Sequence, residues 1–149
     1  MASSIKLEFH LDPDPSKVAH GELVVNASCG SFSGKSSAWF TCADLKRFGQ
    51  SLRDTFPIPT SQPLLLAGGQ FDITGTVLEQ MQIRLRVYPL GGAGVLAILV
   101  ELSTGIEFQR QRSVRLGLET NYEELRRFGS AVTALAEGAA FSAELSGDN

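Results

Sequence analysis

Apolar and polar residues alternate through several stretches of the chain. Ile5, Leu7, Phe9 and Leu11 interleave with Lys6, Glu8 and His10, the two-residue period of a strand with one wet face. Asp12-Pro13-Asp14-Pro15 closes that stretch with turn-forming residues. Leu23, Val25 and Ala27 resume the alternation, and a hairpin of the two strands is expected. Met81, Ile83, Leu85 and Val87 against Gln82, Arg84, Arg86 and Tyr88 make the cleanest amphipathic strand. The run from Val95 to Val100 is apolar on both faces, which predicts a central strand. Leu90 to Gly94 reads as the hairpin loop between these two. Glu107 to Leu118 is expected as a long strand with Val114, Leu116 and Leu118 inward. Shorter strands are expected at Phe32, at Pro63–Ala67 (closed by Gly68-Gly69) and from Phe71 through Leu78.

Two stretches carry a different period. Leu45, Phe48, Leu52 and Phe56 fall at i, i+3, i+7 and i+11, and Leu125, Phe128, Val132 and Leu135 keep a similar spacing. Both spacings gather apolar side chains on one side of a helix. The segments are also copies of a pattern: Asp44-Leu45-Lys46-Arg47-Phe48-Gly49 answers Glu124-Leu125-Arg126-Arg127-Phe128-Gly129. Thr41 is expected to cap the first helix, with Asp44 completing a loose capping box, and Thr120 or Asn121 the second. Pro57 and Pro59 should stop the first helix and Gly138 the second. A glycine inside a helix costs about 1 kcal/mol against alanine, so Gly49 and Gly129 are expected to mark close packing, against a sheet.

Strands, helix, strands, helix, with glycine-rich turns between consecutive strands, imply an α+β domain. It should hold an antiparallel sheet of about six to eight strands, with two amphipathic helices on one face. Residues 1–149 are expected to form one domain, with residues 139–149 frayed or in a short helix. The repeated helix hints at two related halves, and convergence of two amphipathic helices would give the same resemblance.

Composition narrows the function classes. A net charge of −3 lacks the basic surface that nucleic-acid binding needs. The opening Met-Ala-Ser-Ser-Ile-Lys has no basic-then-apolar signal structure, and Val95–Val100 is too short to span a bilayer. A cytoplasmic protein that binds neither membrane nor nucleic acid is therefore expected. Cys29 and Cys42 match no metal or redox spacing and are expected as reduced thiols.

No catalytic set, cofactor loop or metal cluster is expected from the motifs. Gly34-Lys35-Ser36 imitates the end of a phosphate-binding loop, but Cys29 stands where its first glycine belongs. Gly68-Gly69-Gln70 matches the tip of translation release factors without their basic surroundings. His10 and His20 with Asp12 and Asp14 fit no ligand spacing. The sequence offers one charged surface. Arg84 and Arg86 share one strand face, Arg110 and Arg112 share another, and Arg115 lies nearby, with Glu79, Glu101 and Glu107 as available partners. Cross-strand charge pairing on a wet sheet face explains such a ladder; a surface for an acidic partner is the functional reading.

Gly30-x-Phe32-x-Gly34, followed by Trp39 and then Asp44-Leu45, Phe48 and Leu52, resembles the small bacterial immunity proteins paired with wall-associated contact-dependent toxins, the WapI type. The resemblance lies mainly in residues 30–52, and the order of elements agrees to about residue 136. It implies a cytoplasmic protein that binds and neutralises a cognate toxin, and it assigns no functional residue. The acidity of the chain would suit a basic toxin domain, steered by complementary charge. The alternative is a small-ligand binder or enzyme with an aromatic pocket between sheet and helices, lined by Trp39, Phe40, Tyr88 and Tyr122. A homodimer is compatible with either, because a sheet covered on one face leaves the other free.

Overall fold

Ten elements follow one another among the described residues. β1 (Ala2–Leu11), β2 (His20–Cys29) and β3 (Phe32–Thr41) lead into α1 (Cys42–Asp54) and β4 (Leu64–Phe71). β5 (Leu78–Leu90), β6 (Val95–Thr104) and β7 (Arg112–Asn121) lead into α2 (Tyr122–Ala136) and β8 (Ala143–Asp148). The computed structural model describes residues 2–71, 78–104 and 111–148. The strand expected from Phe71 to Leu78, and the start of that expected from Glu107, fall largely outside the described residues.

The fold is α+β and antiparallel, with two helices and eight strands divided between two four-stranded sheets. The first sheet has the order β3-β2-β1-β8 and the second β4-β5-β6-β7. Written as two units of three strands, a helix and a strand, the halves are topologically identical. Each keeps its first three strands as consecutive neighbours, and each sends its last strand across to the other sheet. β8 pairs with β1, just as β4 pairs with β5. From β3 to the helices the numbering offset is constant at eighty positions (32 and 112, 41 and 121, 49 and 129). The repeated helix is thus one part of a repeated fold.

The alternation read in the sequence becomes one core. Ile5 and Leu7 of β1 match Ile83 and Leu85 of β5, and Leu23 and Val25 of β2 match Ile98 and Val100 of β6; all are buried. β6 lies inside its sheet, and Leu96, Ala97 and Ile98 are buried in succession, as the two-faced apolar run predicts. β3 is a full strand rather than a short one, and it packs across all four strands of the second sheet. Its inward positions are small: Gly34 leaves room for Val114, Ser36 donates to the Ser103 carbonyl at 2.6 Å, and Ala38 is buried. Small side chains let two sheets approach where larger ones would hold them apart. Farther along, Gly68 of β4 makes space for the buried Phe40 ring. The strand continues past Gly68 and Gly69 through a register shift, a bulge, where the sequence predicts an end.

The helices form where the spacing places them, except that α1 ends at Asp54 and leaves Phe56 beyond it and exposed. Leu45, Phe48 and Leu52 are buried on α1, and Leu125, Phe128 and Val132 on α2. Thr41 Oγ1 accepts from the Asp44 N–H at 3.1 Å, and Asn121 Oδ1 accepts from the Glu124 N–H at 2.9 Å. Asp44 completes no capping box: its carboxylate instead takes Arg47 at 2.9 Å, as Glu124 takes Arg127 at 3.0 Å. Gly138 ends α2 with φ of 75°. There the Ala139 N–H bonds to Ala134 O at 2.8 Å and the Gly138 N–H to Leu135 O at 3.2 Å, the paired closure that favours glycine. The two helices pack on each other, α1 against β3 and β4 and α2 against β1, β7 and β8. Gly49 and Gly129 do mark the close packing, but the surface they meet is the other helix. Residues 143–148, expected to be frayed or in a short helix, form β8; Ala143 and Leu145 are buried beside β1.

Candidate interaction surface

The outward face of the second sheet carries the arginines singled out from the sequence. Arg84 and Arg86 point the same way from β5, as their spacing requires. Arg84 stands in register with Glu101 of β6, and Glu101 with Arg115 of β7. Arg84 Nη2 lies 2.7 Å from Glu101 Oε2, its Nε 3.2 Å from Oε1, and Arg86 Nη2 3.3 Å from Oε1. The hydrogen bonds from Arg84 hold the Glu101 carboxyl below its ordinary range, and the charges of Arg84, Arg86 and Arg115 add to that. Arg86 Nε is buried with no hydrogen-bond partner among the described residues. These groups therefore form a cross-strand charge cluster. The row beside it is Leu65, Arg86, Leu99 and Gly117, with Leu65 exposed.

Arg112 does not join this cluster. It shares the strand parity of Leu116 and Leu118, which face the core, and lies exposed at the start of β7. It lines a depression of about 220 Å³ with Gly34, Lys35 and Val114. Arg110 lies outside the described residues. Arg115 is the β7 arginine that meets Glu101, and the register across β6 identifies it.

The aromatic residues disperse. Phe40 is buried, and Trp39, its neighbour in β3, faces outward and is 53% exposed. Tyr88 lies on the outward side of β5, in register with Ala97. The Tyr122 hydroxyl accepts the Ile58 N–H at 3.1 Å, and its ring meets Phe56 edge-on at 4.8 Å. A depression of about 430 Å³ does lie between β3, β4 and α1, where Phe40, Phe48 and Leu66 border the Asp44–Arg47 ion pair.

Trp39 dominates a corner of the first sheet. Its indole lies 5.3 Å from the His20 ring at a 44° tilt. Cross-strand, it faces Glu22, and Glu22 faces His10. Val18, 76% exposed, and Lys17 complete a depression of about 340 Å³ with Trp39 and His20. The hairpin from Asp12 to Ala19 supplies Lys17 and Val18. It is shaped by its own carboxylates: Asp12 Oδ1 accepts the Asp14 N–H at 2.9 Å, and Asp14 Oδ1 accepts the Ser16 hydroxyl at 2.7 Å. The Ser16 bonds hold the Asp14 carboxyl below its ordinary range. His20 Nδ1 is 2.7 Å from Val18 O, and Nε2 is 3.4 Å from Asp12 Oδ2. The sequence pairs these histidines and aspartates without a ligand spacing, and among the described residues no three such groups gather to hold a metal. Strand alternation could have found this corner, since buried residues at 36, 38 and 40 put 39 outside.

Cys29 and Cys42 are not joined in a disulfide. They sit at opposite ends of the β2–β3 hairpin, because Cys29 pairs with Phe32 and His20 with Thr41. No helix among the described residues is long and apolar enough to cross a membrane. No protein-family model, curated protein or solved structure matches the chain.

Proposed function

We propose that this protein is a non-catalytic module that works by binding another protein, and that the partner is a cognate bacterial toxin which it neutralises in the cytoplasm. The observation that carries the binding reading is the exposed pair Trp39, on the outer sheet face, and Val18, in the adjoining hairpin, at 53% and 76%, bordered by Lys17, His20 and Glu22. Exposed apolar groups rimmed by polar ones mark protein contact surfaces, and tryptophan is enriched among residues that dominate binding energy. The toxin reading rests on the resemblance of residues 30–52 to WapI-type immunity proteins. A net charge of −3 favours a basic partner.

The test is affinity capture from the source cells followed by an inhibition assay. A single basic protein recovered at one-to-one stoichiometry, toxic alone and silent when co-expressed with this chain, is the expected result. A partner whose activity is unchanged by binding would remove the immunity reading and leave the binding one.

A second reading has its own observation. The depression of about 430 Å³ between β3, β4 and α1 borders Phe40 and Phe48 and holds the Asp44–Arg47 pair, a mixture suited to a small ligand. A thermal-stability screen against a metabolite panel separates it: a ligand that raises the melting temperature, and loses that effect in Arg47→Ala, would favour it.

A further inference from the structure

The two halves of the chain provide an internal comparison. Positions that both halves fill alike build the shared fold: caps at 41 and 121, apolar residues at 45 and 125, glycines at 49 and 129. Positions where they differ are released from that duty. At the end of β3 the first half has Trp39, and β7 has Glu119. β2 begins with His20, and β6 begins with Val95. The connection from β1 to β2 runs through eight residues, 12–19, and that from β5 to β6 through four, 91–94. The four-residue connection closes its hairpin fully, with Leu90 paired to Val95. The longer one brings Lys17 and Val18 beside Trp39. The fold therefore needs neither the longer hairpin nor an indole at this place.

We infer that the corner around Trp39 seats an arginine or lysine side chain of the partner protein. The inference rests on the binding reading above and names the chemistry of the contact. An indole face is the best aromatic acceptor for a cation, and 53% exposure leaves much of this one accessible. His20 meets the ring at a tilt and does not stack flat over it. Two carboxylates stand beside the depression: Glu22 lies directly across from Trp39, and Asp12 Oδ2 is 3.4 Å from His20 Nε2. Lys17 is the lysine or arginine that borders the depression, and Glu22, in register with Trp39 on the same sheet face, is the carboxylate beside the indole. Val18 gives the aliphatic stem of the incoming side chain an apolar wall. A guanidinium suits the place best, because it stacks on an aromatic face while donating in-plane hydrogen bonds to a carboxylate.

Trp39 is the only tryptophan of the chain, so its emission reports on the corner directly. The probe is a blocked tetra-arginine peptide, titrated at low salt into the full-length protein, with amide chemical shifts followed in parallel. A saturable change in emission is expected, with shifts concentrated at His20, Glu22 and Trp39. Trp39→Ala and Glu22→Gln should each weaken binding by about tenfold, read by the same shifts, at unchanged melting temperature. Shifts equally large at the carboxylates of α2, or undiminished binding by both variants, would overturn the proposal. The partner itself separates this inference from the function it rests on. A captured partner held equally well by Trp39→Ala removes the cation seat and leaves the binding module. Failure of the wild-type chain to hold any protein, with the peptide still seated at Trp39, removes the binding module and leaves the cation seat.

Discussion

Gly49 and Gly129 hold equivalent positions on α1 and α2, and each occupies the place where the other's helix comes closest. A β-carbon added to Gly49 would lie 2.9 Å from the Gly129 carbonyl oxygen, and one added to Gly129 would lie 2.6 Å from the Gly49 oxygen. Thr133 packs into the same crossing and bonds the Gly129 oxygen at 2.9 Å. The residue that costs each helix stability alone is therefore what lets the helices meet.

Gly129→Ala should destabilise the fold although alanine is the better helix former. The added carbon meets two backbone atoms, Arg53 N and Gly49 O, both at 2.6 Å, and backbone cannot rotate away as a side chain can. Overpacking of this kind costs about 1–3 kcal/mol, against about 1 kcal/mol gained in propensity. Gly117→Ala is the matched control, because a β-carbon there meets nothing within 4 Å. Chemical denaturation should show a lower midpoint for the first and an unchanged or higher one for the second. A more stable Gly129→Ala protein would show that the helices can separate freely.

Helix caps offer a paired measurement. Thr41→Ala and Asn121→Ala each remove one side-chain acceptor from an N-terminal N–H, and each should cost about 1 kcal/mol. The residues are far from one another in sequence and share no partner, so the double variant should show the sum. A double variant much less destabilised than that would mean that one cap substitutes for the other.

The charge cluster on the second sheet predicts a pH dependence of known sign. The folded-state pKa of Glu101 is held below its ordinary value, chiefly by Arg84. The stability this contributes is fully present above the unfolded value and is lost as pH falls through the folded one. The wild-type melting temperature should therefore fall faster than that of Glu101→Gln on acidification below about pH 4.5, the ordinary value of the group. At neutral pH, Glu101→Gln should cost about 1–2 kcal/mol, the order of a lost charged hydrogen bond. Parallel acid profiles of the two proteins would refute the assignment.

The exchange of last strands predicts that neither half folds alone. A polypeptide of residues 1–74 would lack the β8 strand that its sheet needs, and one of residues 75–149 would lack β4. Co-expressed, the two fragments should elute together in size exclusion as a one-to-one complex with the far-ultraviolet spectrum of the intact chain. Folded, monomeric behaviour of either fragment by itself would count against the exchanged arrangement.

Much of this architecture is legible in the sequence because burial and period coincide. Leu45, Phe48 and Leu52 announce α1, and Ile83, Leu85 and Val87 announce β5, before any contact is known. The division into two sheets is not legible. It depends on Gly34, Ser36 and Ala38, whose smallness permits the close approach of the sheets and gives the sequence no strong hydrophobic period. β8 is hidden for a related reason: two inward residues, Ala143 and Leu145, make too short a period to stand out. The arginine face is half legible. Spacing puts Arg84 and Arg86 together, but only the register across β6 selects Arg115 over Arg112 and brings both strands to Glu101. Trp39 reads from the sequence as a candidate pocket-lining aromatic, since the inward row that turns it outward is built mostly from small residues without a strong hydrophobic signal.

The unequal hairpins have a consequence for how this chain can change. From Phe32 to Leu52 and from Arg112 to Val132 the two halves stay in step without one insertion or deletion. Ahead of β2 and β6 the connections differ twofold in length, at 12–19 and 91–94. A change of length between β1 and β2 adds its residues at one open end of the sheet and leaves every register in the core as it was. That hairpin is a place where the chain can accept new residues, and so a new recognition specificity, while the rest of the molecule keeps its shape.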